Sequence, residues 1–408
     1  MRTCAIILLL GCLCVPLSVT IAASPNISQE AISITQEERT QEIAEKVQRV
    51  VTFLKERELG GLLLSTTANF AWITGGGDNH VVIASEEGTC SILILPNGER
   101  YLISNSSEAG RMMEEELQGL DFRLKGFKWY EDKLVPDKKW EIIKGLTGGG
   151  RVASDIPYAD AVVVKGELGQ LRYPLTDSEI KKYRWLGREC AQAVDKVCRT
   201  IQPGISEKEI EALISDELLR RGIRPTVILI GVDDRMYNYR HAIPTDVRLQ
   251  KYAMINICAR RWGLVIATTR LVHFGPVPLE LGRRMKATAQ VAARYLAHSR
   301  PGRSAADILK AAQEAYADAG YPGEWERHHQ GGAIGYQERD WLAYPGSPEV
   351  VHSRQAFAWN PTITGAKVED TIIVYDDHIE VLTQLPHWPT IKVEYEGKVF
   401  LIPDILVR

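Results

Sequence analysis

Ile201-Gln-Pro-Gly-Ile-Ser-Glu-Lys-Glu209 stands between two amphipathic stretches. Before it, Ile180, Tyr183, Ala191, Val194, Val197 and Ile201 line one face of a long helix. Pro203-Gly204 stops that helix, because proline lacks an amide proton and glycine accepts the turn that follows. Ser206-x-x-Glu209 is a capping box that opens the next helix, which runs to Arg221-Gly222. A strand over Thr226–Ile230 comes after it, and Ala253–Ala259 and Leu264–Val272 read as paired strands around Trp262-Gly263. The same order returns about a hundred residues later. A helix over Leu281–Ser299 ends at Pro301-Gly302, Ser304 opens another through Ala319, and Gly320 closes it. Strands then follow at Ala356–Trp359, Thr371–Tyr375 and Ile379–Leu382. Such a repeat implies an internal duplication, two similar halves built around one shared cleft.

Upstream the pattern differs. Ile43, Val47, Val50, Val51 and Leu54 recur at helical spacing from Gln41 to Arg57. Short strands are expected at Gly61–Leu64, His80–Ile83, Ser91–Leu95 and Tyr101–Ile103, with a turn at Pro96-Asn97-Gly98 and a helix over Glu108–Leu117. This alternation predicts an α/β domain over residues 39–172, ahead of the duplicated region at 173–408.

Composition narrows the class. The chain has 408 residues, 45% hydrophobic and 25% charged, which excludes a disordered, collagen-like or multi-span membrane protein. Lys plus Arg number 49 against 52 Asp plus Glu, a net charge of −3, so no basic excess points to a nucleic-acid partner. Met1-Arg2-Thr3 precedes an apolar run from Cys4 to Ala23 that ends in small residues, as a secretory signal peptide does, and residues 24–38 read as a polar linker. The expected location is therefore exported, periplasmic or secreted, with no transmembrane span in the mature chain; lipid attachment at Cys12, after Leu9-Leu10-Gly11, is the lesser alternative. Cys90, Cys190, Cys198 and Cys258 remain beyond the leader; no C-x-x-C pair exists, so buried free thiols are expected.

In this frame Ile201-Gln-Pro-Gly-Ile-Ser-Glu207, His241 ahead of Pro244-Thr245-Asp246, Thr269-Arg270, and Lys367-Val-Glu-Asp-Thr371 resemble the creatinase, aminopeptidase P and prolidase family (M24), over roughly residues 40–400. The resemblance implies a creatinase-like N-terminal α/β domain and a C-terminal pita-bread α/β (α+β) domain with a pseudo-two-fold axis. It also implies a homodimer in which N-terminal loops reach a partner's cleft; Asn69, Phe70, Trp72, Asn79 and His80 are candidates for that lid, with core packing the plainer role for Phe70 and Trp72. Peptidases of the family hold two divalent metals with two Asp, one His and two Glu. Carried over residue by residue, those positions fall on Asn256, Ala267, Gly332, Asn360 and Glu369, and only Glu369 remains a carboxylate. One carboxylate does not offset two buried dications, so a two-metal peptidase site is not expected, and no cofactor is expected. His273, His328 and His329 are the alternative set for a different, single-metal site, although adjacent His328 and His329 are expected to point apart, which argues against it.

The remaining residues resemble creatinase, which cleaves a C–N bond without metal. His241, in Asn238-Tyr-Arg-His-Ala-Ile-Pro244, matches its acid–base histidine. Arg339 matches its carboxylate-binding arginine, and Glu369 its contact to a cationic substrate end. Creatinase keeps a histidine where this chain has Gly332, so the substrate is held differently here. Asn256 and Asn360 are expected to hydrogen-bond Glu369, His329 to touch ligand, Arg270 to brace the cleft floor, and Trp341, Trp359, Trp388 and Tyr344 to wall the pocket. The resulting expectation is a metal-independent hydrolase of a small carboxylate-bearing or short peptide substrate. Its rivals are a non-catalytic ligand- or peptide-binding member and a metal-dependent Xaa-Pro aminopeptidase.

Overall fold

Thr35 opens the first helix earlier than the apolar spacing predicts. Its hydroxyl accepts from the Glu38 amide, the Glu38 carboxylate accepts from the Thr35 amide, and the helix runs Gln36–Glu56. The computed structural model describes residues 32–131 and 138–408. The leader (1–23), its cysteines including Cys12, and the linker as far as residue 31 lie outside the described residues.

The first helix packs on a six-stranded mixed sheet. Its strand order is Arg123–Phe127, Arg100–Asn105, Glu87–Ile94, Gly61–Thr66, Val152–Ser154, Val162–Val163. The expected strand over His80–Ile83 does not form. Val81, Val82 and Ile83 are all more than half exposed in a turn, because three successive apolar residues with no alternating pattern found no pairing edge. Among the lid candidates, Phe70 and Trp72 are core residues, and Asn69 and Asn79 are buried too. Asn69 lies between Asp155 (2.9 Å) and Arg172 (2.5 Å), which occupies its amide within this subunit.

The duplicated region follows its sequence closely. Helices Asp177–Thr200 and Glu207–Leu219 precede a four-stranded sheet ordered Leu406–Val407, Leu264–His273, Tyr252–Arg261, Arg224–Val232. Helices Leu279–His298 and Ala305–Asp318 precede a five-stranded sheet ordered Trp341–Leu342, Gly331–Ile334, Gln355–Trp359, Asp370–Val374, Ile379–Val381. The two Pro-Gly turns are anchored in the same way. Gly204 N donates to Leu249 O (2.7 Å) and Gly302 N to Val351 O (2.9 Å). Ser206 bridges Arg248 as Ser304 bridges Val350, and each serine caps the helix after it. The sheets meet where Thr269 N donates to Glu369 O (3.0 Å).

Charged groups cross residue 172, where the two sequence regions adjoin. Glu42 pairs with Lys46 and Lys182, each at 2.6 Å, and Lys46 also pairs with Glu179 at 2.9 Å. Arg172 reaches Asp340 at 2.7 Å, next to Arg339. Residues 32–408 thus make one compact unit. Cys90, Cys190, Cys198 and Cys258 are free and buried. Among the described residues no helix is long and apolar enough to cross a membrane.

Candidate active site

The antiparallel pair Tyr252–Arg261 and Leu264–His273 sets Asn256 opposite Thr269, and the bridge to residue 369 brings Glu369 against both. Asn256 Nδ2 donates to Glu369 Oε2 (2.6 Å) and to Thr269 Oγ1 (2.9 Å). Thr269 Oγ1 donates to the same carboxylate oxygen at 2.9 Å. Lys367 Nζ lies 3.3 Å from both Asn256 Oδ1 and Glu369 Oε2, and Arg339 Nη2 lies 3.1 Å from Glu369 Oε1. Burial alone would raise the Glu369 carboxyl; Lys367 and Arg339 outweigh it and hold the group below the usual carboxylate range. Glu369 is therefore ionised, and both its oxygens are already engaged by the chain's own cations. The residue expected to meet a cationic substrate end meets Lys367 and Arg339 instead.

The other positions matched to family metal ligands supply no donor set. Ala267 is tied by its backbone to Thr371 Oγ1 at 2.9 Å in both directions. Gly332 lies between two strands, and a Cβ there would come within 2.2 Å of the Trp341 carbonyl oxygen, so no histidine fits on this backbone. Asn360 is buried with its backbone N–H donating to Gln330 O (3.1 Å), while its side-chain Oδ1 has no partner among the described residues. Asn256 bonds Glu369 as expected; Asn360 is not among Glu369's partners. With Lys367 placed at the carboxylate, these five positions do not fit a pair of divalent ions. Arg270 spans the floor, from Thr269 O (2.8 Å) to Asp370 (2.8 Å) and Thr383 O (2.7 Å).

Beside this ionic group stand three histidines. His241 follows the short helix Arg235–Asn238, and His328 and His329 follow the turn Glu324–Arg327. His241 Nε2 and His328 Nε2 are 3.0 Å apart. One nitrogen of each of the three rings falls within 4.8 Å of the others. His328 and His329 do not point apart: their rings stack with centroids 4.3 Å apart and planes 27° from parallel. Gln330 explains this. Its amide donates to His328 O (2.6 Å) and Trp325 O (3.2 Å) and accepts from Tyr316 (2.7 Å), curling the loop so that both rings face one side. His273 is elsewhere, bonded to Gly275 O at 3.0 Å and set against Tyr252.

Burial, reinforced by Lys367, holds His328 far below the usual imidazole range. Part of His329 meets solvent, yet burial followed by Arg339 and Lys367 lowers it to about 4. Burial and Lys367 also lower His241, against Glu369. All three rings are neutral near pH 7, and the charges acting on them place the cluster beside Arg339, Lys367 and Glu369. Of the two facing nitrogens, one carries the proton and the other accepts, so His328 fixes the tautomer of His241.

Lys367 escaped the sequence reading as a site residue. The available signal was Lys367-Val-Glu369, which sets both side chains on one face of an extended segment. The tryptophans turned out to pack elsewhere: Trp359 stacks on Tyr295 and donates to Ser299 (2.8 Å), Trp388 lies under Arg270, and Tyr344 is exposed. A cavity of about 600 Å³ opens between Leu296–Arg300, Tyr375–Val381 and Lys398–Leu401, and is not lined by His241, His328, His329, Arg339, Lys367 or Glu369.

Residues 181–376 match the profile of metallopeptidase family M24. The putative dipeptidase YkvY of Bacillus subtilis (strain 168) is 22% identical over 377 residues, covering 84% of this chain and 98% of its own. Dipeptidase PepE from Mycobacterium ulcerans superposes with a TM-score of 0.71 at 18% identity, covering 85% of this chain and 97% of its own. The N-terminal domain of the FACT complex subunit SPT16 from Cicer arietinum superposes with a TM-score of 0.64 at 11% identity, covering 84% and 96%.

Proposed function

Because the chain belongs, by its residues 181–376, to metallopeptidase family M24, we propose that it is an exported hydrolase that cleaves a C–N bond in a small carboxylate-bearing substrate without the family's two-metal centre. The observation that carries this reading is the meeting of a neutral His241, paired to His328, with the Arg339–Glu369–Lys367 group in one cleft. Neutral His241 takes a proton from water as the oxygen attacks the scissile carbon, and returns one to the departing nitrogen. Arg339 anchors the substrate carboxylate through its Nε, which is buried without a partner among the described residues, while Nη2 is held by Glu369 and Nη1 by Glu338 O. Lys367 adds positive charge to the same end, Asn256 holds Glu369 in place, and Asn360 and His329 offer polar contacts to the ligand. Export rests on the basic start and apolar run of residues 1–23, and a homodimer on the resemblance to two-domain family members.

The test is turnover of N-acyl amino acids, creatine-like amidines, ureas and dipeptides by the wild type and by His241→Ala. Hydrolysis that survives the substitution sinks the assignment. A second reading, a non-catalytic ligand- or peptide-binding member, draws support from the four family positions that carry no charged or imidazole ligand. Tight binding of a panel compound with no turnover in the wild type would select it. An Xaa-Pro aminopeptidase that uses the family's two metals has no support from the donor set, since Gly332 has no room for a side chain.

A further inference from the structure

Three imidazoles converge in the cleft without the partners that usually silence a buried histidine. His328 is buried, its Nε2 faces His241 Nε2 at 3.0 Å, and its Nδ1 has no hydrogen-bond partner among the described residues. In one tautomer a buried N–H is left orphaned, in the other a buried lone pair, and such atoms mark places where an ion or ligand belongs. We infer that His241, His328 and His329 hold a single divalent transition-metal ion, at a position outside the five that the family uses. The inference rests on the same cleft as the proposed hydrolysis and departs from the expectation of a metal-independent enzyme; with an ion bound His241 is a ligand, and the acid–base role proposed for it belongs to the ion-free chain.

The geometry supports one ion. Two imidazole nitrogens bound to an ion at about 2.0–2.1 Å subtend roughly a right angle when they stand 3.0 Å apart. The third nitrogen lies within 4.8 Å of both, and rotation of the exposed His329 or His241 ring closes the remaining gap. The loop is also fixed in advance. Gln330, buried and bonded to Tyr316, Trp325 O and His328 O, holds His328 and His329 on one side before any ion arrives. Two exposed histidines leave a way in from solvent.

The donor set and the local charge determine which ion fits. Three neutral imidazoles suit zinc, cobalt, nickel or copper, whereas magnesium, calcium and manganese favour oxygen ligands. Lys367 and Arg339 stand on one side with only Glu369 between them, and Arg240 is paired to Glu324 at 2.6 Å. That surplus of positive charge disfavours a bare dication and favours one that shares the cleft with an anion. A substrate carboxylate and the ion should therefore strengthen each other's binding. An ion so placed would polarise a substrate carbonyl or a water, while the chain's own cations hold the carboxylate.

The experiment uses untagged full-length protein, stripped with chelator and titrated with Zn²⁺ or Co²⁺. Elemental mass spectrometry after gel filtration counts the ions, and the visible spectrum of Co²⁺ reports nitrogen coordination. One ion per chain is expected, with a higher Tm on loading. His329→Ala, an exposed position, should weaken binding by at least ~100-fold, beyond what loss of a ligand's supporting hydrogen bond brings, and leave the Tm of the stripped protein unchanged. His328→Gln, which retains a polar side chain, is the second variant. The inference is overturned by the absence of any stoichiometric ion, by two ions per chain, or by undiminished binding in both variants. Turnover is a separate readout: a panel without a C–N substrate sinks the hydrolase reading and leaves the ion count untouched.

Discussion

Around Glu369, hydrogen-bonding groups answer one another. Both carboxylate oxygens, the Asn256 amide, the Thr269 hydroxyl and the Lys367 ammonium are joined within 3.3 Å in a buried knot. Around His328 the reverse holds: Nδ1 is buried and unpartnered among the described residues, two of the three rings reach solvent, and Lys367 acts to keep all three neutral. The two regions share a cleft and contribute differently. A knot so closely paired is a structural anchor, with the Nε of Arg339 left buried and unpartnered among the described residues. An unsatisfied cluster keeps lone pairs available, and available lone pairs are what proton transfer or ion binding requires. Under the function proposed above, the chemistry moves from the carboxylates to the imidazoles.

The sharpest way to break this contrast is to remove one member from each side. His241→Ala should reduce kcat/KM by about 10²–10⁴-fold, the usual range for loss of a general acid–base, with Tm almost unchanged because the residue is exposed. Glu369→Gln should do the opposite in kind. It leaves Lys367 and Arg339 facing a neutral group in a buried site and should cost about 3–5 kcal/mol of stability, read by urea unfolding. A Glu369→Gln protein of unchanged stability would mean that the knot is not the anchor described. Gly332→His asks whether the family's ligand can be restored. Its Cβ meets the Trp341 carbonyl oxygen at 2.2 Å, so about 3 kcal/mol or more should be lost, with no second ion gained.

The smallest effect concerns a second such knot, at Glu42. Burial would raise that carboxyl, but Lys46 and Lys182 overcome it and hold it at about 2. A folded pKa below the unfolded value of about 4.3 means that the stabilisation is complete above that value and is lost as pH falls toward 2. Acid unfolding of wild type should therefore have a component in this window that Glu42→Gln lacks.

Most of the duplicated fold could be read locally. Pro203-Gly204 with Ser206, and Pro301-Gly302 with Ser304, are stop and start signals whose physics lies within a few residues, and the structure repeats them bond for bond. The His80–Ile83 segment misled because apolar content was taken as a strand where no neighbouring edge was available. At the site, the loss of carboxylates at Asn256 and Asn360 was visible in the residue types. The pairing of Arg339 with Glu369 was not, since it depends on where the chain after Gly335 crosses residue 369.

The sequence by itself determined the long helices, about half of the described strands, the duplication and the erosion of four of the five ligand positions, because caps, periodicity and residue chemistry act at short range. Only the tertiary structure decided that His241 meets His328 across 87 residues of chain, that Gln330 turns His328 and His329 to one side, and that Lys367 stands at the family's carboxylate. Those arrangements follow from sheet register and from a buried side chain tying a loop to a helix. Neither leaves a periodic trace in the sequence.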